Sequence, residues 1–497
     1  MKPSIVHVAL GVLSAGLFSA IALATPPAAP TGSDDPQPSP ITILKTSPGL
    51  ARGLIFVTPA GGAAPPLTTP TGAAPDAGAA ATAPISEQGP EIVDNRGRPV
   101  WFKQLPSGIG ATDFRVQEYR GEPVITWIQS AGGFSTGPTT DYIADRHYHV
   151  IASVQAGNGY IADTHEFRLT PEGTALISVY HTIPYDLSSV GGPSSGNVTE
   201  GIVQEIDIAT GRVLFEWHSL DHVPLSESHE PVPTSPTAAY DYFHLNSVNP
   251  DVDGNLLISS RHTWTVYKLD RHTGAVIWRL GGKSSDFDLG PGVAFAWQHN
   301  PLVADGPDTI RIFDNESAGT PVLPYSRVIW VKHDDVRKTA TLERWFKHPD
   351  NLSAASQGNS QALDNGDTFV GWGQVGRYSE FDHDGNLLLD AAFAPGYDTY
   401  RAYRHEWIGQ PDTNPAAVAQ PADGGGTTVH AIWNGATQVA RWEILGGSSV
   451  HALTRLDSVE WNSFDTAVTL PGRPAYVQVV AEDVYGLELG RSAVTSP

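Results

Sequence analysis

Cysteine is absent from all 497 residues. The chain therefore has no disulfide, no thiolate nucleophile and no Cys-ligated metal, so any covalent chemistry must come from another side chain. This absence does not fix the compartment, since exported proteins can fold without disulfides. Positive charge is also scarce. Thirty Lys and Arg stand against 53 Asp and Glu, for a formal charge of −23. Such a field argues against nucleic acid and anionic membrane surfaces, and an anionic substrate would have to be held by a local cluster. The third absence is helical periodicity, which is nearly missing from about residue 90 to 408.

The N-terminus is the exception to a polar chain. Lys2 precedes the apolar run "IVHVALGVLSAGLFSAIALA", which ends in Ala22-Leu23-Ala24. This reads as a secretory signal peptide, residues 1–24, cleaved near Ala24–Thr25, and predicts a secreted protein. An uncleaved membrane anchor is the competing reading, because the run is close to spanning length. Residues 25–88 are Pro- and Ala-rich, with short strands expected at 41–50 and 53–59 and a loop at 60–84.

From residue 89 to 409 short β-branched and aromatic runs alternate with Asp-Gly and Asn-Gly turns. The runs repeat. "THEFRLTPEGTALISVYHT", "FHLNSVNPDVDGNLLISSRHT", "QHNPLVADGPDTIRIFDNES" and "QGNSQALDNGDTFVGWGQV" each give a polar opening, a strand, a turn and a second strand. A further strand pair often closes on a tryptophan (Trp217, Trp278, Trp345). With "GPEIVDNRGRPVWF" and "FRVQEYRGEPVITWIQS" the units number about six, which predicts an all-β, six-bladed β-propeller. Residues 410–426 read as a linker, and 427–497, with clean strand alternation, as an immunoglobulin- or fibronectin-like β-sandwich.

Histidines mark the repeats. His165, His244 and His299 fall at the polar openings of three units, while the fourth carries Gly358-Asn359 there. Equivalent positions of successive blades lie equally far from the axis, so the three imidazoles are expected to converge at one mouth of the central channel. Asn246, two residues beyond His244, is expected on the same side of an extended strand. Arg261 lies in the second strand of its unit, where the others have Tyr180, Asp314 and Gly373. Its planar fork suits a tetrahedral oxyanion, and a surface ion pair with Asp314 is the plainer alternative.

Two chemistries fit neutral imidazoles, an amide and a guanidinium. One is a three-histidine Zn²⁺ site, although Arg261 would be repelled there and no HxH or HxxxH pair occurs at these positions. The other is a histidine nucleophile acting on an anionic group, with Arg261 and the remaining histidines stabilising charge. An imidazolium such as His244 or His165 could then protonate the leaving group. Phe295 and Trp297 approach His299; such residues are more often core than the wall of a ligand site.

The segments "HEF…PEGTALIS", "FHLNSVNPDVDGNLLISSRHTWTVYKLD", "GAVIWRLGG", "FAWQHNPL" and "QGNSQALDNGDTFVGWG" together resemble the arylsulfotransferase (arylsulfate sulfotransferase) family over roughly residues 90–400. That resemblance implies a six-bladed propeller that moves sulfuryl groups between phenols without a nucleotide sulfate donor. Its partners would be a small aryl sulfate donor and a phenolic acceptor, with no cofactor and no metal. It also implies that His299 is transiently sulfated, that His244, Asn246 and Arg261 hold the sulfuryl oxygens, and that His165 completes the pocket. The disulfide of some members cannot exist here. The N- and C-terminal segments depart from the better-known bacterial enzymes and look like the exported actinobacterial and fungal branch. A competing function is a non-catalytic propeller that binds sulfated or phenolic ligands or a surface polymer. A quinone-dependent dehydrogenase ranks lower, since Asp314-Asn315-Glu316 is the nearest approach to a calcium-binding carboxylate cluster. Asn315 is also one of three N-glycosylation sequons, with Asn197 and Asn351.

Overall fold

The computed structural model describes residues 38–61, 88–131, 137–316 and 322–497. The signal peptide and most of the 25–88 segment expected from the sequence lie outside the described residues. Among these residues no helix is long and apolar enough to cross a membrane.

β-branched runs separated by short polar turns favour antiparallel hairpins, and the chain is built largely from them. Six sheets of four or five strands follow one another. The first runs Ile109–Tyr119, Glu122–Ala131, Thr139–Ala144 and Val150–Val154. The second begins with Ala162–Leu169 and Thr174–Tyr185, the third with Leu245–Pro250 and Leu256–Ser260. The fourth begins with His299–Val303 and Thr309–Asp314, and the fifth with Asn359–Ala362 and Thr368–Gly371.

The sixth sheet is assembled from both ends of the region. Tyr403–His405 pairs with Leu54–Val57, followed by Glu91–Val93 and Pro99–Phe102. Leu54–Val57 is thus a strand of this array, although the sequence reading set it apart from residues 89–409. Ile41–Thr46 likewise pairs along the outer strand Leu387–Phe393 of the fifth sheet.

First strands of neighbouring sheets touch in sequence order from the first sheet to the fifth. Tyr403–His405 then meets Thr368–Gly371 on one side and Ile109–Tyr119 on the other, so the succession closes on itself. Side-chain amides bridge these strands. Asn249 donates to the carbonyl of Pro301, and Gln361 bonds both backbone groups of Arg404. Between the sheets lie apolar layers such as Leu257, Val266, Trp278, Ile310, Ile312 and Ile329. Trp217 and Trp278 are buried on the closing strands of their sheets, whereas Trp345 is exposed and stacks on Tyr325; Trp330 instead packs in the apolar layer between the fourth and fifth sheets, with Phe313, Phe346 and Trp372.

Two further sheets, of three and four strands, enclose a core of Val429, Trp442, Ile444, Leu470 and Val479. The first includes Ala416–Pro421, so part of the expected 410–426 linker is a strand. Asn434 bonds both backbone groups of Phe102, and Tyr148 donates to the carbonyl of Gly435, which fastens these sheets to the array.

Candidate active site

Irregular backbone on the inner strands shapes the site. Pairing with the second strand slips between Thr112 and Arg115, Ala162 and Phe167, Leu245 and Ser247, and His299 and Leu302. Such bulges re-aim side chains that regular alternation would send elsewhere. His244, Trp264, Trp297, Asn300 and Gln357 all hold positive φ, between 51° and 67°. Left-handed backbone costs non-glycine residues of order 1–3 kcal/mol each, and such strain concentrates where function requires it.

His299 is buried, and both ring nitrogens are engaged. Nδ1 lies 2.7 Å from the side-chain oxygen of Asn315. The Asn315 amide nitrogen donates to the carbonyls of Ala354 and Gln357, 3.0 Å each, so its orientation is fixed with the oxygen toward the ring. An amide oxygen only accepts, hence Nδ1 carries the proton and Nε2 the lone pair. The backbone N–H of Gln357 donates to Nε2 at 3.2 Å. Burial, and then the charge of Arg261, hold the imidazole well below its ordinary pKa, against the pull of Asn315. His299 is therefore a neutral ring of defined tautomer.

Arg261 reaches the same loop. Its Nη2 donates to the carbonyl of Ala355 at 2.9 Å, its Nη1 to Nε2 of His262 at 2.7 Å, and its guanidinium lies over Trp297 at 5.2 Å. Guanidinium has five N–H donors, so the fork keeps donors for an oxyanion, and its buried Nε has no protein partner among the described residues. The alternative ion pair with Asp314 does not form. Asp314 pairs with Arg327 at 2.8 Å, as does Glu316 at 3.1 Å, and these carboxylates brace the Ala294–Ala296 segment. Burial and the neighbouring Asp314 lift Glu316 to about 9.

His244 and His165 meet edge to face, with ring centroids 5.2 Å apart. His244 donates from Nδ1 to the carboxylate of Asp241 at 2.5 Å, and burial with Arg261 keeps its pKa well below the ordinary value. His165 bonds Asp163 through Nδ1, stacks on Tyr180 and meets the edge of Tyr400. The three histidines and Arg261 share one neighbourhood: each of the other three depresses the pKa of His299.

Asn246 behaves differently from the alternation argument. His244 has φ 55° and Asn246 sits at the bulge, so the two do not share a strand face. The Asn246 amide donates to the carbonyl of Gln298 at 2.8 Å, beside His299, and its side-chain oxygen has no protein partner among the described residues. Phe295 belongs to the apolar core with Trp278 and Phe287, while Trp297 contacts Arg261 and His262. At Gly358, φ is +96° and a Cβ would stand 2.4 Å from the Phe313 ring, so no histidine fits there.

Repetition in the sequence does not single out Asn315 as a positioning group, nor Asp241 or His262. Asn315 follows the strand that pairs with His299, so hairpin register is the signal for it; His262 stands next to Arg261 and Asp241 three before His244. Burial of Asn315 also closes its sequon to a glycan in the folded chain.

A protein-family model described as "Arylsulfotransferase (ASST)" matches residues 115–394, more than half of the chain. No curated protein matches. Among solved structures, a protein of unknown function from Bacteroides caccae is similar at 11% identity and TM-score 0.40, over 71% of this chain and all of that one. The periplasmic gluconolactonase PpgL of Pseudomonas aeruginosa is similar at 12% identity and TM-score 0.35, over 84% of this chain and 99% of that one. The Cps50 (Swd1) beta-propeller domain of Myceliophteria thermophila is similar at 9% and 0.32, over 67% and 96%.

Proposed function

The chain belongs to the arylsulfotransferase family, and on that premise we propose that it is a nucleotide-independent arylsulfate sulfotransferase working through a sulfohistidine at His299. The observation that carries this reading is the tautomer of His299, whose Nε2 lone pair is set by Asn315 beside a guanidinium. In this reading the six sheets are blades of a propeller, Leu54–Val57 included, and residues 416–497 form an immunoglobulin-like sandwich. The N-terminal 24 residues direct export.

The chemistry runs in two halves. Nε2 of His299 gives up the hydrogen bond from the Gln357 N–H and attacks the sulfur of an aryl sulfate in line; the N–S bond forms and the S–O bond to the aryl group breaks. The phenolate leaves and takes its proton from water. Arg261 offsets charge on the equatorial oxygens, and Asn246 holds the Gln298 carbonyl so that His299 stays aligned. In the second half a phenolic acceptor attacks the sulfur, the N–S bond breaks, and His299 returns neutral. His244, a neutral ring with its proton on Nδ1 toward Asp241, has Nε2 as a base for the acceptor's proton. That assigns it the base rather than the imidazolium acid expected from the sequence. His165, packed against His244, completes the wall on that side.

Intact mass after brief exposure to 4-nitrophenyl sulfate tests the proposal. An SO₃ adduct is expected on the wild type, discharged by added phenol and missing from His299→Ala. No adduct and no nitrophenol release across the pH range would overturn it.

A further inference from the structure

Beside the three histidines of the repeat openings lies a fourth, His262, which the mechanism does not use. Its ring is buried and stands 4.5 Å from that of His244. Nδ1 points at the backbone carbonyl of Asp241, an acceptor without protons, so Nδ1 carries the hydrogen and Nε2 the lone pair. Into that lone pair Arg261 donates from Nη1 at 2.7 Å. The side chain of the same Asp241 takes the Nδ1 proton of His244. One residue thus sets two imidazoles, each with Nε2 turned away from it.

We propose that Asp241 and His262 are positioning residues for sulfuryl transfer: Asp241 fixes the ring of His262, and His262 fixes the fork of Arg261. The inference rests on the reading of the site as a sulfotransferase centre. Its logic is geometric. A guanidinium on a flexible stem loses rotamer freedom on binding an oxyanion, and an acceptor on one Nη group removes that cost in advance. The Ala355 carbonyl holds the other Nη group, and the Trp297 face supports the plane. Held at these points, the fork keeps its unengaged N–H groups for the sulfuryl oxygens.

Asp241, His244 and His262 also bring one ligand atom each within 4.8 Å, a spacing that suits a metal ion. The hydrogen-bond reading fits better. Each Nδ1 already faces its own oxygen of Asp241, and Arg261 next to His262 would repel a dication.

The test compares single-turnover sulfation of His299 in the wild type, His262→Leu and His262→Gln, with melting curves run alongside. Glutamine supplies an oxygen acceptor near the place of Nε2; leucine supplies none. Sulfation at least tenfold slower in the leucine variant, with most of the rate regained in the glutamine variant, is expected. A leucine variant that folds and sulfates within twofold of wild type, or glutamine and leucine variants equally slow, would overturn the proposal. If the wild type itself forms no adduct, the sulfotransferase reading has failed instead. Should the leucine variant not fold, nitrogen-15 spectra of histidine-labelled wild type decide. The signal lost in His262→Gln must report a neutral ring protonated at Nδ1; protonation at Nε2 would sink the idea. A rate lost to a chelator and restored by Zn²⁺ would replace the clamp by a metal.

Discussion

Asn315 accepts the Nδ1 proton of His299 across 2.7 Å, from the residue just past the strand that pairs with it. Asn315 is itself held by two backbone carbonyls and by Ser326, which donates to its own carbonyl. Removing the side chain leaves a buried imidazole N–H without an acceptor and frees the ring to change tautomer. Asn315→Ala should therefore lose about 1–3 kcal/mol of transition-state stabilisation, or about 5- to 150-fold in kcat. Steady-state release of 4-nitrophenol measures it. A variant that turns over like the wild type would mean that the ring needs no outside partner.

Arg261 serves two contacts with one fork, so a point charge should not replace it. Arg261→Lys keeps the charge but cannot meet His262, Ala355 and an oxyanion together. A loss of about 10²–10³ in kcat is expected, the cost typical of a removed oxyanion donor. Lysine activity within a few-fold of arginine would assign this residue a merely electrostatic part.

The pH profile follows from burial and from the same arginine. Both depress His299, so the nucleophile stays unprotonated well below the ordinary histidine value. The acid limb of kcat/KM should lie below pH 6.5, with activity lost as pH falls through the depressed pKa. Arg261→Gln removes the cation and should move the residual activity's acid limb to higher pH. An unmoved limb would assign it to another group.

The period-two texture, the recurring openings and two of the three closing tryptophans, Trp217 and Trp278, were legible because they report burial and strand alternation over many residues. His299 stood out as one of three histidines at a recurring position, and Arg261 as an exception within the repeat. What alternation could not show is where it fails. Asn246 bonds Gln298 because a bulge intervenes, and His244 has left-handed backbone, a choice that no single residue type announces. The closure of the array through Leu54–Val57 was hidden for another reason. The strand is short, and its partner, Tyr403–His405, lies at the opposite end of the region.

Beneath the site, four buried charges cancel. Arg401 pairs with Asp113 at 3.0 Å and Glu166 at 3.2 Å, and Arg115 with Asp113 at 2.9 Å and Glu166 at 2.6 Å. Arg401 also donates to the carbonyl of Asn246, which ties this cluster to the strand beside His299. Burial alone would raise Glu166, yet Arg401 and Arg115 bring it down to about 2. Its folded pKa is depressed, so its contribution is present above the ordinary carboxylate value and lost as pH falls toward 2. Breaking one partner strands the others. Glu166→Gln or Arg401→Met should each destabilise the fold by about 3–5 kcal/mol, whereas removing both charges together with apolar residues of similar volume should cost much less than the sum. Denaturant melts of the two single variants and the double variant read the coupling. If the double variant falls by the full sum, the two side chains act separately, and the cluster is not the unit that holds these inner strands in register.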